Sequence, residues 1–240
     1  MGQRRSRVFE DHWQTFWSNQ TTSLRGQDTD RFNSAYGKEL RLLFEDEHPR
    51  RVLEIGCGDG SLYRHVGFDQ AEVYRGVDIS PSMLAEFERR HPQVRTVCSP
   101  GQEYLDNNTW DLIFANQVLQ YLTKPMLNEM FSHARAMLAE NGVMVCAGIP
   151  WRRLRFEFYR GDLAVARKPG FRNGAARTAF GYLYRLWKPD LGKWYDLEDF
   201  EELADKFSMS VKFYSSMNYM YRFHAVLHPK ESTLQPLRLL

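Results

Sequence analysis

The chain has no apolar run long enough to cross a membrane: its longest, such as Val143 to Ile149, stop far short of the about 20 residues a spanning helix requires. Cysteine is scarce too. Cys57, Cys98 and Cys146 are odd in number and widely spaced, which argues against a disulfide framework or a thiolate metal site and fits buried thiols in a reducing cytosol. There is neither an internal repeat nor a low-complexity segment, so solenoids and fibrous architectures are set aside. Met1 to Val8 is basic with no apolar region behind it, so no secretion signal is expected and the protein is expected to be cytoplasmic. The opening Met-Gly-Gln-Arg-Arg-Ser matches an N-myristoylation pattern, but so short a match carries little weight.

What is present suits one globular domain. The 240 residues are 43% hydrophobic and 26% charged, enough for one well-buried core and cramped for two. The formal net charge of +2 hides an uneven distribution. Between Trp151 and Asp190 there are ten basic residues against three acidic ones, so this block is strongly positive and the remainder negative. It separates an insert from a scaffold.

Strand and helix signals alternate through the first two thirds. Arg31 to Glu47 is amphipathic, with Phe32, Ala35, Tyr36, Leu40, Leu43 and Phe44 toward one side, and His48-Pro49 closes it. Strands are expected at Arg51–Ile55, Val73–Val77, Val94–Cys98, Asp111–Ala115 and Gly142–Ala147, and helices at Ser61–Val66, Pro81–His91 and Met126–Ala139. Ser80-Pro81 is a strong helix start, a capping hydroxyl followed by proline in the first turn. Aromatic residues also recur at helical spacing from Val8 to Trp17. After Pro150 come the basic aromatic block, a helix near Leu197 to Phe207, two extended stretches at Met209–Tyr214 and Tyr219–Leu227, and a tail from His228. Such alternation predicts an α/β fold with a doubly wound, mostly parallel sheet.

The most informative residues are Val52-Leu53-Glu54-Ile55-Gly56-Cys57-Gly58-Asp59-Gly60, followed by Gly76-Val77-Asp78-Ile79-Ser80. An apolar run ending in three alternating glycines reads as a buried strand turning into a helix, with backbone bare enough for a ligand to lie against it. Dinucleotide-binding turns need a third glycine one position after Gly60, where this chain has Ser61, and they face a pyrophosphate; carboxylates such as Glu54 and Asp59 suit a ligand without phosphate. These residues resemble the cofactor signature of the class I S-adenosylmethionine-dependent methyltransferases. Trp110 to Tyr121 resembles that family's fourth strand and the loop facing the donated methyl, and Leu138 to Val143 its turn into the fifth strand.

The resemblance implies a Rossmann-like, seven-stranded sheet with an antiparallel last strand and a lid insert after the fifth. Within one domain over 1–240 it implies a helical cap (1–47), a cofactor-binding core (48–150), a basic aromatic lid (151–195), and a C-terminal helix, hairpin and tail (196–240). It implies S-adenosyl-L-methionine as cofactor, with Glu54, Gly56, Gly58 and Gly60 near its methionine and ribose, and Asp78 on the ribose diol. Ile79 and Met83 would pack on adenine, Gln102 and Glu103 would face the adenine edge, and Asn116 would complete the set. A bland reading stands beside each: glycines serve tight turns, Met83 is ordinary core, and an aspartate at a strand end caps a helix, although Ser80 can do that capping itself.

The implied chemistry is in-line displacement of the methyl by oxygen or nitrogen of a small-molecule acceptor. Gln117 and Tyr121 are the candidates for aligning it; related enzymes often carry histidine where this chain has Tyr121. Of the remaining histidines, His224 could reach the pocket, with a structural role the plainer reading, and no metal site is expected. The sequence after the fourth strand lacks the Asn/Asp-Pro-Pro-aromatic pattern of adenine-methylating enzymes, and no Pro-Cys pair is present, so nucleic acid is not expected as a partner. The block Trp151–Trp194 would cover the acceptor. Its arginines and aromatics suit an anionic, sugar or carrier-linked acceptor, a peripheral membrane contact through 151–190, or simply a solvated basic face. A silent methyltransferase-like binding module and a nucleotide-dependent oxidoreductase remain the alternatives, and the oligomeric state is left open.

Overall fold

A computed structural model describes residues 15–17, 29–160 and 192–230. The expected helix start at Val8, most of the basic insert, the membrane contact proposed for it, and the tail from 231 onward lie outside the described residues.

The strands are β1 (Arg51–Ile55), β2 (Val73–Asp78), β3 (Thr96–Cys98), β4 (Trp110–Asn116), β5 (Leu138–Pro150), β6 (Met209–Ser215) and β7 (Arg222–Pro229). They form one seven-stranded sheet in the order β3-β2-β1-β4-β5-β7-β6, in which β7 runs antiparallel to both its neighbours and the rest are parallel. The α/β, doubly wound architecture expected from the sequence is therefore present. Among the described residues the main helices are α1 (Thr29–Arg41), α2 (Tyr63–Val66), α3 (Pro81–Arg90), α4 (Lys124–Met137), α5 (Arg155–Arg160) and α6 (Leu197–Lys206).

The central strands are buried on both faces, which explains their near-continuous apolar runs. Leu53, Ile55, Ile113, Ala115, Met144 and Cys146 point to one side, against Phe131 and Met130 of α4 and Phe200 of α6. Val52, Leu112, Phe114, Val143 and Val145 point to the other, against Tyr36 and Leu40 of α1 and Leu84 and Phe87 of α3. Strand alternation thus feeds two cores, one per face. The parallel strands β1 and β4 are where the winding of the sheet changes direction, β2 and β3 following to one side and β5 to the other, so a crevice opens at their carboxyl ends.

Local signals set the helix starts. Ser80 caps α3 by accepting from Met83 N, and Thr123 caps α4 in the same way from Met126 N, each with proline in the first turn. Three expectations need correction. The strand after α4 begins at Leu138, directly at the helix end, and the turn expected over Leu138 to Val143 is instead an irregularity in the pairing between Trp110↔Leu138 and Leu112↔Val143. The turn after β1 is longer than expected, with α2 starting at Tyr63 and not Ser61. Cys98 is exposed because β3 is an edge strand of three residues, whereas Cys57 and Cys146 are buried.

β5 carries a one-residue bulge. Cys146 pairs with Ala225 and Ile149 with Phe223, so Ala147 and Gly148 together oppose His224. Gly148 sits at φ 63°, a left-handed conformation, and a Cβ there would lie 2.7 Å from Gln117 Cγ and 2.8 Å from Tyr36 Oη. Its freed peptide is captured from β7: Gly148 N donates to His224 Nδ1 at 3.1 Å, and Gly148 O accepts from Arg222 Nη1.

Candidate functional site

One cleft lies over the carboxyl ends of β1, β2 and β4, and its wall includes Glu54, Gly56, Gly58, Asp78, Ile79, Met83, Gln102, Asn116, Gln117 and Tyr121. All but two of the residues singled out in the sequence therefore meet there. Gly60 and Glu103 do not border it. Gly60, at φ 69°, is packed so that a Cβ would meet Phe87 at 2.2 Å, which makes it the contact between the turn and α3. Glu103 stands one residue behind the wall and accepts from Gln102 Nε2 at 3.4 Å.

The turn after β1 is anchored by Gly56 N and Cys57 N, both donating to Val77 O. Gly58, at φ 55°, would carry a Cβ with only Met83 Sδ within reach at 3.6 Å, so its backbone lies bare to the cleft. Asp78 ties the turn to the next strand: Oδ2 accepts from Gly58 N and Oδ1 from Ser80 N, both at 2.9 Å. Burial pushes the Asp78 carboxyl above its usual range, while N–H groups of Ser80, Gly58 and Ile79 pull it back down. Each carboxylate oxygen keeps acceptor capacity beyond these bonds.

Glu54 is buried, with Oε2 accepting from Tyr74 Oη, and Asp59 Oδ1 accepts from Ser61 N at 3.2 Å. Burial, aided by Asp78 and Glu54, raises the Cys57 thiol well above its usual range, so no thiolate nucleophile forms here.

The opposite end of the cleft is built on β4, β5 and β7. Asn116 Oδ1 accepts from Tyr36 Oη at 2.7 Å. Gln117 follows at φ 58°, an unusual conformation for a residue with a side chain, held by Gln117 N donating to Ala147 O at 2.9 Å. Leu119–Tyr121 form a 3-10 turn, clamped by Tyr195 Oη on Leu119 O and by Lys193 N on Gln120 O. Trp17 borders the cleft and packs edge-on against Tyr121 at 5.2 Å between ring centroids.

The two ends of the basic insert meet at this point. Trp151 bridges Tyr195, Arg152 N donates to Tyr195 O, and the Arg152 side chain reaches Asp196 and Asp199. No histidine borders the cleft among the described residues. His224 is fully buried beneath it, between Gly148 N and Glu39 Oε1.

A family model describing a methyltransferase domain matches residues 53–144, the segment from β1 into β5 that carries the turn, Asp78 and Asn116. That segment is thus similar to methyltransferase domains. Among curated relatives, this domain is similar to a malonyl-[acyl-carrier protein] O-methyltransferase of Halalkalibacterium halodurans, 35% identical over 116 residues that cover 45% of this chain and 41% of the relative. It is also similar to a trans-aconitate 2-methyltransferase of Methylobacterium radiotolerans, 33% identical over 108 residues, 44% of this chain and 40% of the relative. The chain therefore matches less than half the length of these relatives. In fold, the chain resembles the N-methyltransferase NodS of Bradyrhizobium japonicum in complex with S-adenosyl-L-homocysteine. That likeness has a TM-score of 0.61 at 14% identity, covering 90% of this chain and 97% of the other.

Sequence reasoning missed Arg222 and Glu39. Arg222 borders the cleft, is only 8% exposed, and its Nη1 donates to Gln120 Oε1 at 2.8 Å. A signal existed: Arg222 is the one arginine or lysine of a strand otherwise made of apolar residues and two histidines, two residues before His224 and hence on the same face. Glu39 gave none, because its partners on β7 and the preceding turn are 185 and 179 residues away.

Proposed function

We propose that the protein transfers a methyl group from S-adenosylmethionine to an oxygen or nitrogen of a small molecule. The observation that carries this reading is the Asp78 carboxylate, fixed by Gly58 N and Ser80 N beside bare glycine backbone, in a cleft that offers carboxylates and no cluster of basic groups at that end. Such a donor set suits a ribose diol and a cationic sulfonium, and suits a pyrophosphate poorly. When bound, the cofactor supplies an electrophilic methyl on sulfur that departs as a neutral thioether.

The chain's own residues then bind and orient. Asp78 holds the ribose hydroxyls, Met83 and Ile79 cover the adenine with Gln102 at its edge, and Gly56 and Gly58 let the ligand lie close to the backbone. Gln117, Gln120 and Tyr121 align the acceptor on the opposite wall. With no histidine base on the described wall, alignment in a closed pocket is the main source of rate, worth about 7 to 11 kcal/mol for well-oriented reactants. The described ends of the insert meet beside Leu119 and Gln120, which supports the reading that the insert covers the acceptor.

Calorimetry tests this reading. Wild-type protein should bind S-adenosylhomocysteine, and Asp78→Asn, which puts an N–H₂ against one of two backbone N–H groups, should weaken it about 10- to 100-fold. Preferential binding of a nicotinamide dinucleotide, or unchanged affinity in a folded Asp78→Asn variant, would overturn it.

A further inference from the structure

The cleft is polarised. Around β1 and β2 its wall carries the acceptors Glu54, Asp59 and Asp78, whereas at the β4–β7 end the buried polar atoms left without a partner are Trp17 Nε1, Gln117 Nε2 and Arg222 Nε. All three are nitrogens that donate. Buried donors without acceptors cost about 1 to 3 kcal/mol each, and a buried guanidinium without a counter-ion costs more. Among the described residues no carboxylate pairs with Arg222: Nη1 is satisfied by the neutral oxygens of Gln120 and Gly148, and the plane stacks near Tyr219 and Tyr221, with its carbon 5.6 and 5.1 Å from their ring centroids.

The guanidinium is also held in place from behind. The β5 bulge turns Gly148 O onto Nη1, and the same peptide's N–H is fixed by His224, itself fixed by Glu39. A cation held this rigidly against a cleft wall, with its charge unanswered, is preorganised for an anion that arrives from outside.

We propose that Arg222, with the amides of Gln117 and Gln120, binds a carboxylate of the methyl acceptor and so selects acidic small molecules. This rests on the methyltransferase reading, which places the donor at the acidic end and the acceptor at the donor-rich one. A planar carboxylate matches the guanidinium fork and supplies the missing acceptor atoms.

The test is calorimetry on the full chain, with and without saturating S-adenosylhomocysteine, using malonate, succinate, trans-aconitate and benzoate against malonamide, succinamide and benzamide. At least one carboxylate should bind at least tenfold more tightly than its amide or, for trans-aconitate, than any amide tested. Arg222→Met should lose that preference while binding S-adenosylhomocysteine as wild type does, and Arg222→Lys should retain part of it. The wild-type comparison stands even if Arg222→Met fails to fold. Carboxylates and amides binding alike, no carboxylate binding at all, or an undiminished preference in a folded Arg222→Met would overturn the proposal. Loss of S-adenosylhomocysteine binding by the wild type would instead overturn the methyltransferase reading.

Discussion

Glu39 is the residue whose removal should be felt most, although no local pattern marks it. It lies on α1, 4% exposed, with Oε1 facing His224 Nε2 at 2.8 Å and Oε2 accepting from both the backbone and the side-chain amide of Asn218. His224 Nδ1 already accepts from Gly148 N, so the proton sits on Nε2 and Glu39 must accept at every position. Burial pushes its carboxyl up, yet hydrogen bonds from His224, Ser216 and Asn218 outweigh this and hold it at about 2, against an ordinary value of 4.5. That gap corresponds to about 3 kcal/mol of stability at neutral pH. A depressed carboxyl contributes fully above the unfolded value and loses its contribution as pH falls from about 4.5 toward 2. Glu39→Gln keeps the shape but turns an N–H₂ toward a donor on one side or the other. Urea unfolding of wild type and Glu39→Gln should differ by about 3 kcal/mol at pH 7 and pH 5, and by about half that at pH 3. A difference below about 1 kcal/mol at pH 7, or one that does not shrink on acidification, would refute the reasoning.

Other perturbations separate packing from binding. Gly60→Ala forces a side chain into φ 69° and against Phe87, so thermal or urea unfolding should show a loss of about 3 kcal/mol, with S-adenosylhomocysteine affinity of the folded fraction reduced less than in Asp78→Asn. For the thiols, Ellman's reagent should titrate Cys98 in the native protein within minutes, and Cys57 and Cys146 only on unfolding, because both are buried and burial raises both thiols. Rapid reaction of all three would contradict the packing of β5 and of the turn after β1.

The fold was readable because its signals are local. Each central strand is a short apolar run, Ser80-Pro81 and Thr123 with Pro125 mark helix starts by hydrogen bonds spanning three residues, and the glycines after Ile55 leave no alternative to a tight turn. The boundaries of β5 were less readable. Glu140-Asn141-Gly142 has turn composition, but pairing of Leu138 with Trp110 draws the preceding residues into the sheet, a tertiary contact overriding a local preference. Cys98 was misjudged for a related reason: a strand's sequence does not say whether it lies at the edge.

The two ends of the cleft differ in the same respect. The acidic end is made by residues 54 to 83, contiguous in sequence and joined by bonds such as Gly58 N to Asp78 across one strand-helix-strand unit. The donor-rich end brings together Trp17, Gln117, Gln120 and Arg222, and the bonds that fix it, Arg222 to Gln120 and Tyr36 to Asn116, span 102 and 80 residues. A bulge that frees one peptide at Gly148 is enough to orient both His224 and Arg222, and nothing near Gly148 in the sequence requires it. A ligand common to many enzymes can be held by one local unit. If the donor-rich end reads the acceptor as proposed, it does so with side chains that only the closed sheet brings into reach, so exchanging Arg222 should alter acceptor choice while leaving the acidic end of the cleft unchanged.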